Sequence, residues 1–317
     1  MAILGVIADD FTGATDIAGM LVKGGMRTIQ TIGVPPQGAI PDDVDAVVVA
    51  LKSRSIAARD AIGQSLDALK ALQAAGCKRF FFKYCSTFDS TDQGNIGPVG
   101  DALMEALGTK QAIYCPAFPE NGRTIFFGHL FVGDLLLSDT HMRHHPLNPM
   151  TDSSLVRVLA RQTRHKVGLV PLKQVQAGSA TLRAALDKLA LDDVRHVVVD
   201  AVADTDLGII GEAVGDDGLV VDFAGTSPQV DKARDENRHE QDNHAERRPQ
   251  PQLLAEDRTP PATLWHESLV ASRLLEYEVW NRLHARGLGR SHGEEARALI
   301  GRVALVELVP PVLGRAL

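Results

Sequence analysis

Cysteine is scarce: Cys77, Cys85 and Cys115 are the only three in 317 residues, and their spacing builds neither a disulfide framework nor a cysteine metal site. An odd number of scattered thiols fits a reducing compartment. Basic charge is not in excess either. With 33 Lys and Arg against 40 Asp and Glu, the formal net charge is -7, which lacks the electrostatic footprint of a nucleic-acid or anionic-membrane binder. No uninterrupted apolar run approaches the ~20 residues of a membrane helix, and no basic stretch precedes a long apolar segment at the N-terminus. The expectation is a cytoplasmic protein with small-molecule partners, no nucleic acid and no membrane. Also missing are an internal repeat of fixed period, a Gly-x-Ser-x-Gly nucleophile turn and a Gly-x-Gly-x-x-Gly loop. The last absence argues against a dinucleotide cofactor.

What is present is enough apolar residue, 44%, to fill a sizeable core. The stretch Gly5-Val-Ile-Ala-Asp-Asp-Phe-Thr-Gly-Ala-Thr-Asp16 joins a short β-branched run to an amphipathic one through an acidic turn. It predicts a strand from Ile3 to Ala8 and then a helix, with Asp10 or Thr12 as its cap. The alternation repeats. Strands are expected at Thr28 to Ile32, Ala46 to Leu51, Arg79 to Phe82 and Gln111 to Cys115, with a helix from about Ala57 to Ala75 and Pro98 in the first turn of another. Thr124 to Phe127 and Leu130 to Val132 flank Gly128-His129 as a small hairpin. Thr151, Asp152 or Ser153 should cap a helix beginning near Leu155. Further strands at Val167 to Val170, Val197 to Asp200 and Leu219 to Val221 alternate with helices at 180 to 189 and Asp204 to Val214. The fold class is α/β, a mostly parallel sheet flanked by helices. After Asp222 the composition turns polar, and Pro228 to about Pro261 reads as disordered or linker-like. Helical spacing returns from Leu264 and, more weakly, from Glu294 to Val309.

The polar residues gather at the C-terminal ends of the strands, where open α/β sheets bind ligands. Asp9 and Asp10 follow the first strand, Lys52-Ser53-Arg54 the third, and Lys83 with Ser86, Thr87 and Asp89 the fourth. Glu120, Asn121 and Arg123 follow the fifth. Cations suit a carboxylate or phosphate, and carboxylates with amides suit the hydroxyls of a polyol, so a small sugar acid would satisfy both. Any one of these loops alone reads more readily as solvated residues and caps; the coincidence across several strand ends favours a site. His129, His141, His144 and His145 lack the spacing of a metal motif, and a solvated or substrate-facing role suits them better. No metal ligands are assigned.

The motifs Ala8-Asp-Asp-Phe-Thr-Gly-Ala14, Lys52-Ser-Arg54, Lys83-Tyr-Cys-Ser-Thr-Phe-Asp-Ser-Thr91, Pro116-Ala-Phe-Pro-Glu-Asn-Gly-Arg123 and Pro149-Met-Thr-Asp-Ser153, in this order, resemble the four-carbon acid sugar kinase family. Tyr114 to Thr124 followed by Gly128-His-Leu-Phe-Val-Gly-Asp134 is most similar to its 3-oxo-tetronate branch. The resemblance runs from residue 1 to about 221. It implies a phosphotransferase that uses ATP, with Mg, on the terminal hydroxyl of a four-carbon sugar acid such as 3-oxo-tetronate. It also implies substrate contacts by Asp9, Asp10, Lys52, Ser53, Arg54, Lys83, Ser86, Thr87, Asp89, Glu120, Asn121 and Arg123. Lys52, Arg54 and Lys83 would hold the carboxylate, and Asp10 would be the catalytic base. A homo-oligomer is compatible with all of this. Residues 222–317 do not resemble the glycine-rich nucleotide-binding domain that follows in the family. They read as a tail produced by truncation or a frameshift, in which case translation of the other frames past codon 221 should restore the missing motifs. The competing expectation is a noncatalytic sugar-acid-binding protein.

Overall fold

The computed structural model describes residues 4–215, 219–223, 270–272 and 304–306. The chain divides into two compact units, Met1–Glu236 and Asn237–Leu317. The first is built on strands β1 (Leu4–Ala8), β2 (Thr28–Ile32), β3 (Ala46–Ala50), β4 (Arg79–Lys83), β5 (Ala112–Cys115), β9 (Lys166–Val170), β10 (Val194–Val199) and β11 (Leu219–Phe223). They form one eight-stranded sheet in the order β2-β3-β1-β4-β11-β5-β10-β9, and every neighbouring pair is parallel. Between β5 and β9 the chain makes a three-stranded antiparallel sheet from β6 (Arg123–Phe126), β7 (His129–Val132) and β8 (Leu135–Leu136).

The residues explain the layering. β1 (LGVIA) and β3 (AVVVA) are buried along their whole length, the continuous apolar run expected of a parallel strand covered on both faces. The covering helices are α1 (Phe11–Lys23), α2 (Ala58–Ala74), α3 (Ile96–Leu107), α4 (Leu155–Gln162), α6 (Ser179–Leu191) and α7 (Asp204–Val214), with a single turn, α5 (Leu172–Val175), before α6. Right-handed crossovers place α1, α6 and α7 on one face and α2, α3 and α4 on the other. Packing agrees: α2 lies against α3, α3 against α4, and α6 against α7. Gly5 permits a close approach of α2 to β1, since a Cβ there would stand 3.0 Å from Leu72 Cδ1. From β1 the chain leaves toward β2 and β3 on one side and later continues through β4 on the other. The reversal makes the mouth of β1 a topological switch point.

Two local expectations are corrected. The cap of α4 is Ser154, whose hydroxyl accepts from Arg157 N, while Asp152 accepts from the Ser154 N–H one step earlier. Consecutive polar residues before an apolar run narrow a cap only to within a residue or two. In the second unit, Val270–Ser272 and Ala304–Val306 form strands β12 and β13, paired in parallel, although both fall in stretches with helical spacing. Short apolar runs satisfy either period. The rest of those stretches, and the linker-like segment before them, lie outside the described residues.

Candidate functional site

The site begins with backbone hydrogen bonds that extend the sheet beyond its last strand residues. Asp9 N–H donates to Lys83 O at 2.9 Å, and Asp9 O accepts from Ser53 N and Arg54 N at 2.9 and 3.2 Å. Asp9 therefore pins the loops after β3 and β4 to its own strand end. Asn95 fixes the first of these loops from the side: its amide donates to Ser53 O at 2.8 Å, Arg54 O at 3.2 Å and Ile56 O at 2.9 Å. No pattern in the sequence marks Asn95 for that task.

Arg54 is the hub. Its Nε and Nη2 donate to Asp9 Oδ2 and Oδ1 at 3.0 and 2.7 Å, a planar two-point pairing. Nη2 also lies 2.8 Å from Asp10 Oδ1, and Nη1 lies 3.5 Å from Asp89 Oδ2. The two adjacent acids differ in access, with side chains 6% exposed for Asp9 and 27% for Asp10. Burial pushes the Asp9 carboxyl up against the pull of Arg54. Burial would lower the guanidinium, but Asp9 more than offsets this and holds it raised and charged. Asp10 is the N-cap of α1, accepting from Gly13 N at 2.8 Å through the same Oδ1 that faces Arg54. Among the described residues its Oδ2 has no hydrogen-bond partner. A side chain at Gly13 would put its Cβ 2.7 Å from Asp10 Oδ1, so the cap needs glycine there.

Buried Lys83 donates to Tyr84 O at 2.5 Å. Beyond it, Phe88 and Asp89 take left-handed backbone angles, φ 61° and 45°, which non-glycine residues adopt at a cost of about 1–3 kcal/mol each. Hydrogen bonds from Phe88 N to Cys85 O (2.8 Å) and from Asp89 N to Thr87 O (2.7 Å) hold the turn. The result aims Asp89 into the site. Its Oδ1 is buried without a hydrogen bond and faces His145 Nδ1 at 3.6 Å. That nitrogen accepts from Asn148 N at 3.1 Å. His145 is thus brought to the acidic cluster, whereas His141 and His144 are exposed.

The remaining sequence candidates divide. Ser53 and Thr87 are buried beside the hub, Thr87 with its hydroxyl 3.1 Å from Cys85 Sγ, while Ser86 is half-buried and Lys52 exposed. Glu120 and Asn121 are exposed on a 3-10 turn, Pro119–Asn121, and Arg123 donates to Asn121 O. Among the described residues none of these three hydrogen-bonds to the Arg54 cluster. Nor do three His, Cys, Asp or Glu side chains there form a group suited to a metal ion. Asp9, Asp10 and Asp89 do not fit Mg as arranged, because the guanidinium lies where a cation would bridge them. No described helix is long and apolar enough to cross a membrane.

Two further networks support the loops. Asp152 accepts from Arg157 (2.6 and 3.1 Å) and from Arg161 Nη2 (3.0 Å), and Arg161 Nε reaches Asp92 at 2.6 Å, tying α4 to the segment after β4. Partial burial pushes the Asp152 carboxyl up, but the Arg157 hydrogen bonds and the Ser154 N–H outweigh it and hold it at about 2. A depressed carboxyl contributes stability above its unfolded value, near about 4, and loses it as pH falls toward the folded one. The melting-temperature advantage of the wild type over Asp152→Asn should therefore be intact above about pH 4 and shrink below it. A gap independent of pH would contradict this. On the other side of the sheet's centre, Tyr114 Oη lies 2.8 Å from His196 Nδ1, and His196 Nε2 lies 2.7 Å from Asp101 Oδ1, which also accepts from Thr163. Gly100 makes room for the phenol, since a Cβ there would stand 2.2 Å from Tyr114 Oη.

With this geometry in place, comparison with known proteins gives concordant matches. A family described as "Sugar-binding N-terminal domain" matches residues 4–230. A 3-oxo-tetronate kinase of Burkholderia multivorans is 62% identical over 211 residues, 67% of this chain and 49% of that protein. Among solved structures, one from Salmonella typhimurium described as a putative tRNA synthase is 50% identical with a TM-score of 0.70, covering 72% of this chain and 55% of its own. A domain of unknown function from Bordetella bronchiseptica, solved with bound citrate as a domain-swapped dimer, is 29% identical with a TM-score of 0.59, covering 71% and 54%. The chain spans about half the length of the relatives it matches.

Proposed function

The chain belongs to the sugar-binding N-terminal domain family, and from that membership we propose that residues 1–221 are the sugar-acid-receiving domain of a kinase. The reaction is phosphorylation of the terminal hydroxyl of a four-carbon acid such as 3-oxo-tetronate, with ATP as donor and Mg as its companion. The nucleotide site lies outside this domain, and residues 222–317 are proposed as an atypical tail, the first two of them closing strand β11. The observation that carries the reading is the cluster at the mouths of β1, β3 and β4, where Asp9, Asp10 and Asp89 converge on Arg54 at the switch point. Asp10 is the proposed base. Gly13 N and Arg54 hold its Oδ1, leaving Oδ2 directed to an accepting hydroxyl. Lys52, Ser53, Lys83, Ser86, Thr87, Glu120, Asn121 and Arg123 complete the proposed pocket. The citrate held by the Bordetella relative suits a pocket for a small carboxylic acid, and its swapped dimer suits a homo-oligomer.

A second reading is acid binding without transfer, in keeping with a matching family described as sugar-binding. Calorimetry with four-carbon acids, followed by an ADP-release assay, separates the two. The kinase reading expects acid binding by this chain and, once it is joined to the nucleotide-binding half of a full-length relative, nucleotide binding and ADP release that Asp10→Asn abolishes with acid binding retained. Acid binding without ADP release by the joined protein would leave the binding module, and no acid binding would end both.

A further inference from the structure

Arginine opposite a proposed acid substrate suggests a clamp for the substrate carboxylate, yet the guanidinium here is already committed. Nε and Nη2 are paired with Asp9 in the two-point geometry that carboxylate recognition would require. Nη2 is shared again with Asp10, and Nη1 faces Asp89. A ligand carboxylate approaching this fork would meet three protein carboxylates first, and displacing Asp9 would strand a buried anion. What the arrangement leaves without a hydrogen bond is one carboxylate oxygen on each of two of those acids, that of Asp89 facing His145 Nδ1 at 3.6 Å. Asp10 Oδ2 has no partner among the described residues, and Asp89 Oδ1 is buried without a hydrogen bond. Asp89 reaches that position through a left-handed backbone, so its orientation is fixed locally. Carboxylate oxygens with no proton of their own accept from hydroxyls.

We infer that Arg54 is a positioning residue, holding Asp10 Oδ2 and Asp89 Oδ1 as acceptors for substrate hydroxyls, and that it does not bind the substrate's carboxylate. The inference rests on the sugar-acid reading above and assigns its selectivity: the acids at this end read the polyol part of the ligand. The ligand's own carboxylate is met by other donors.

The full chain and its Arg54→Lys variant are titrated with threonate or erythronate, whichever binds the wild type, and with the corresponding primary amide, which keeps the hydroxyls and loses the charge. Lysine keeps the cation but not the planar fork. Positioning predicts that both ligands weaken by a similar factor, about tenfold or more, with the preference for acid over amide unchanged. A clamp predicts that the acid alone weakens and the preference falls to about one, which would overturn the inference. Should the variant unfold or the amide bind too weakly, the wild-type Arg54 Nε–H resonance decides. It should keep its position and slow exchange on saturation with the acid, and transfer to a new carboxylate partner would overturn the assignment. Failure of the wild type to bind either acid is a different result, which removes the sugar-acid reading itself.

Discussion

Arg54→Met is expected to lower the unfolding free energy of the first unit by about 3–5 kcal/mol, the cost of breaking a buried ion pair by removing one partner. The magnitude follows from burial more than from the number of bonds. Asp9 keeps its place at the end of β1 through backbone hydrogen bonds whether or not Arg54 is there, so its carboxylate cannot swing to solvent without unravelling the loops it pins. The variant should also respond to acid. Burial already pushes Asp9 up, and without Arg54 nothing comparable pulls it back. A carboxyl raised in the folded state takes up a proton on folding, so its penalty is absent below the unfolded value, about 4, and grows as pH rises toward the folded one. Urea unfolding of both proteins at neutral pH and near pH 5 should show the gap narrowing on acidification. A gap under about 1 kcal/mol at neutral pH, the range of exposed pairs, would mean that the hub is a surface feature.

The second large effect is expected away from the ligand. His196→Leu should cost about 2–4 kcal/mol, because it strands the phenol of Tyr114 and removes one partner of Asp101. His196 is 0% exposed, so water does not replace it. Adding Tyr114→Phe to that variant removes the stranded hydroxyl and should restore about 1 kcal/mol, although Tyr114→Phe alone destabilises the wild type. If the second substitution costs as much in the variant as in the wild type, the phenol and imidazole are not coupled.

Much of this molecule was readable before its coordinates. Parallel strands buried on both faces are apolar throughout, so β1 and β3 end within a residue of expectation, as does β4, while the edge strand β2 and helix α7 have the bounds their residues suggest although β2 has no buried residue. The acids and cations that follow them were readable as a group for the same reason, since the polar residue after a buried strand marks its mouth. Partnership was not. Arg54 advertises an affinity for anions, but nothing in its neighbours along the chain says whether the anion is a ligand or Asp9. Asp89 and His145 meet only because a left-handed turn and a 3-10 segment bring them together, and neither leaves a periodic signature. Asn95 resembles an ordinary helix-start residue and instead holds three carbonyls of another loop. The same limit applies to sheet order. Hydrophobic period locates β11, but only pairing places it between β4 and β5.

That placement has a consequence for biosynthesis. The strands made first, β2-β3-β1-β4, and those made next, β5-β10-β9, are separate ribbons until Leu219–Phe223 is inserted between them. On the ribosome, each ribbon waits with one inner edge open while the chain lengthens, and an open parallel edge recruits foreign strands. The last strand of the sheet to be translated is therefore its keystone. Chains arrested before residue 219 should be captured by chaperones or aggregate, whereas chains arrested beyond 223, with enough length to clear the exit tunnel, should resist protease.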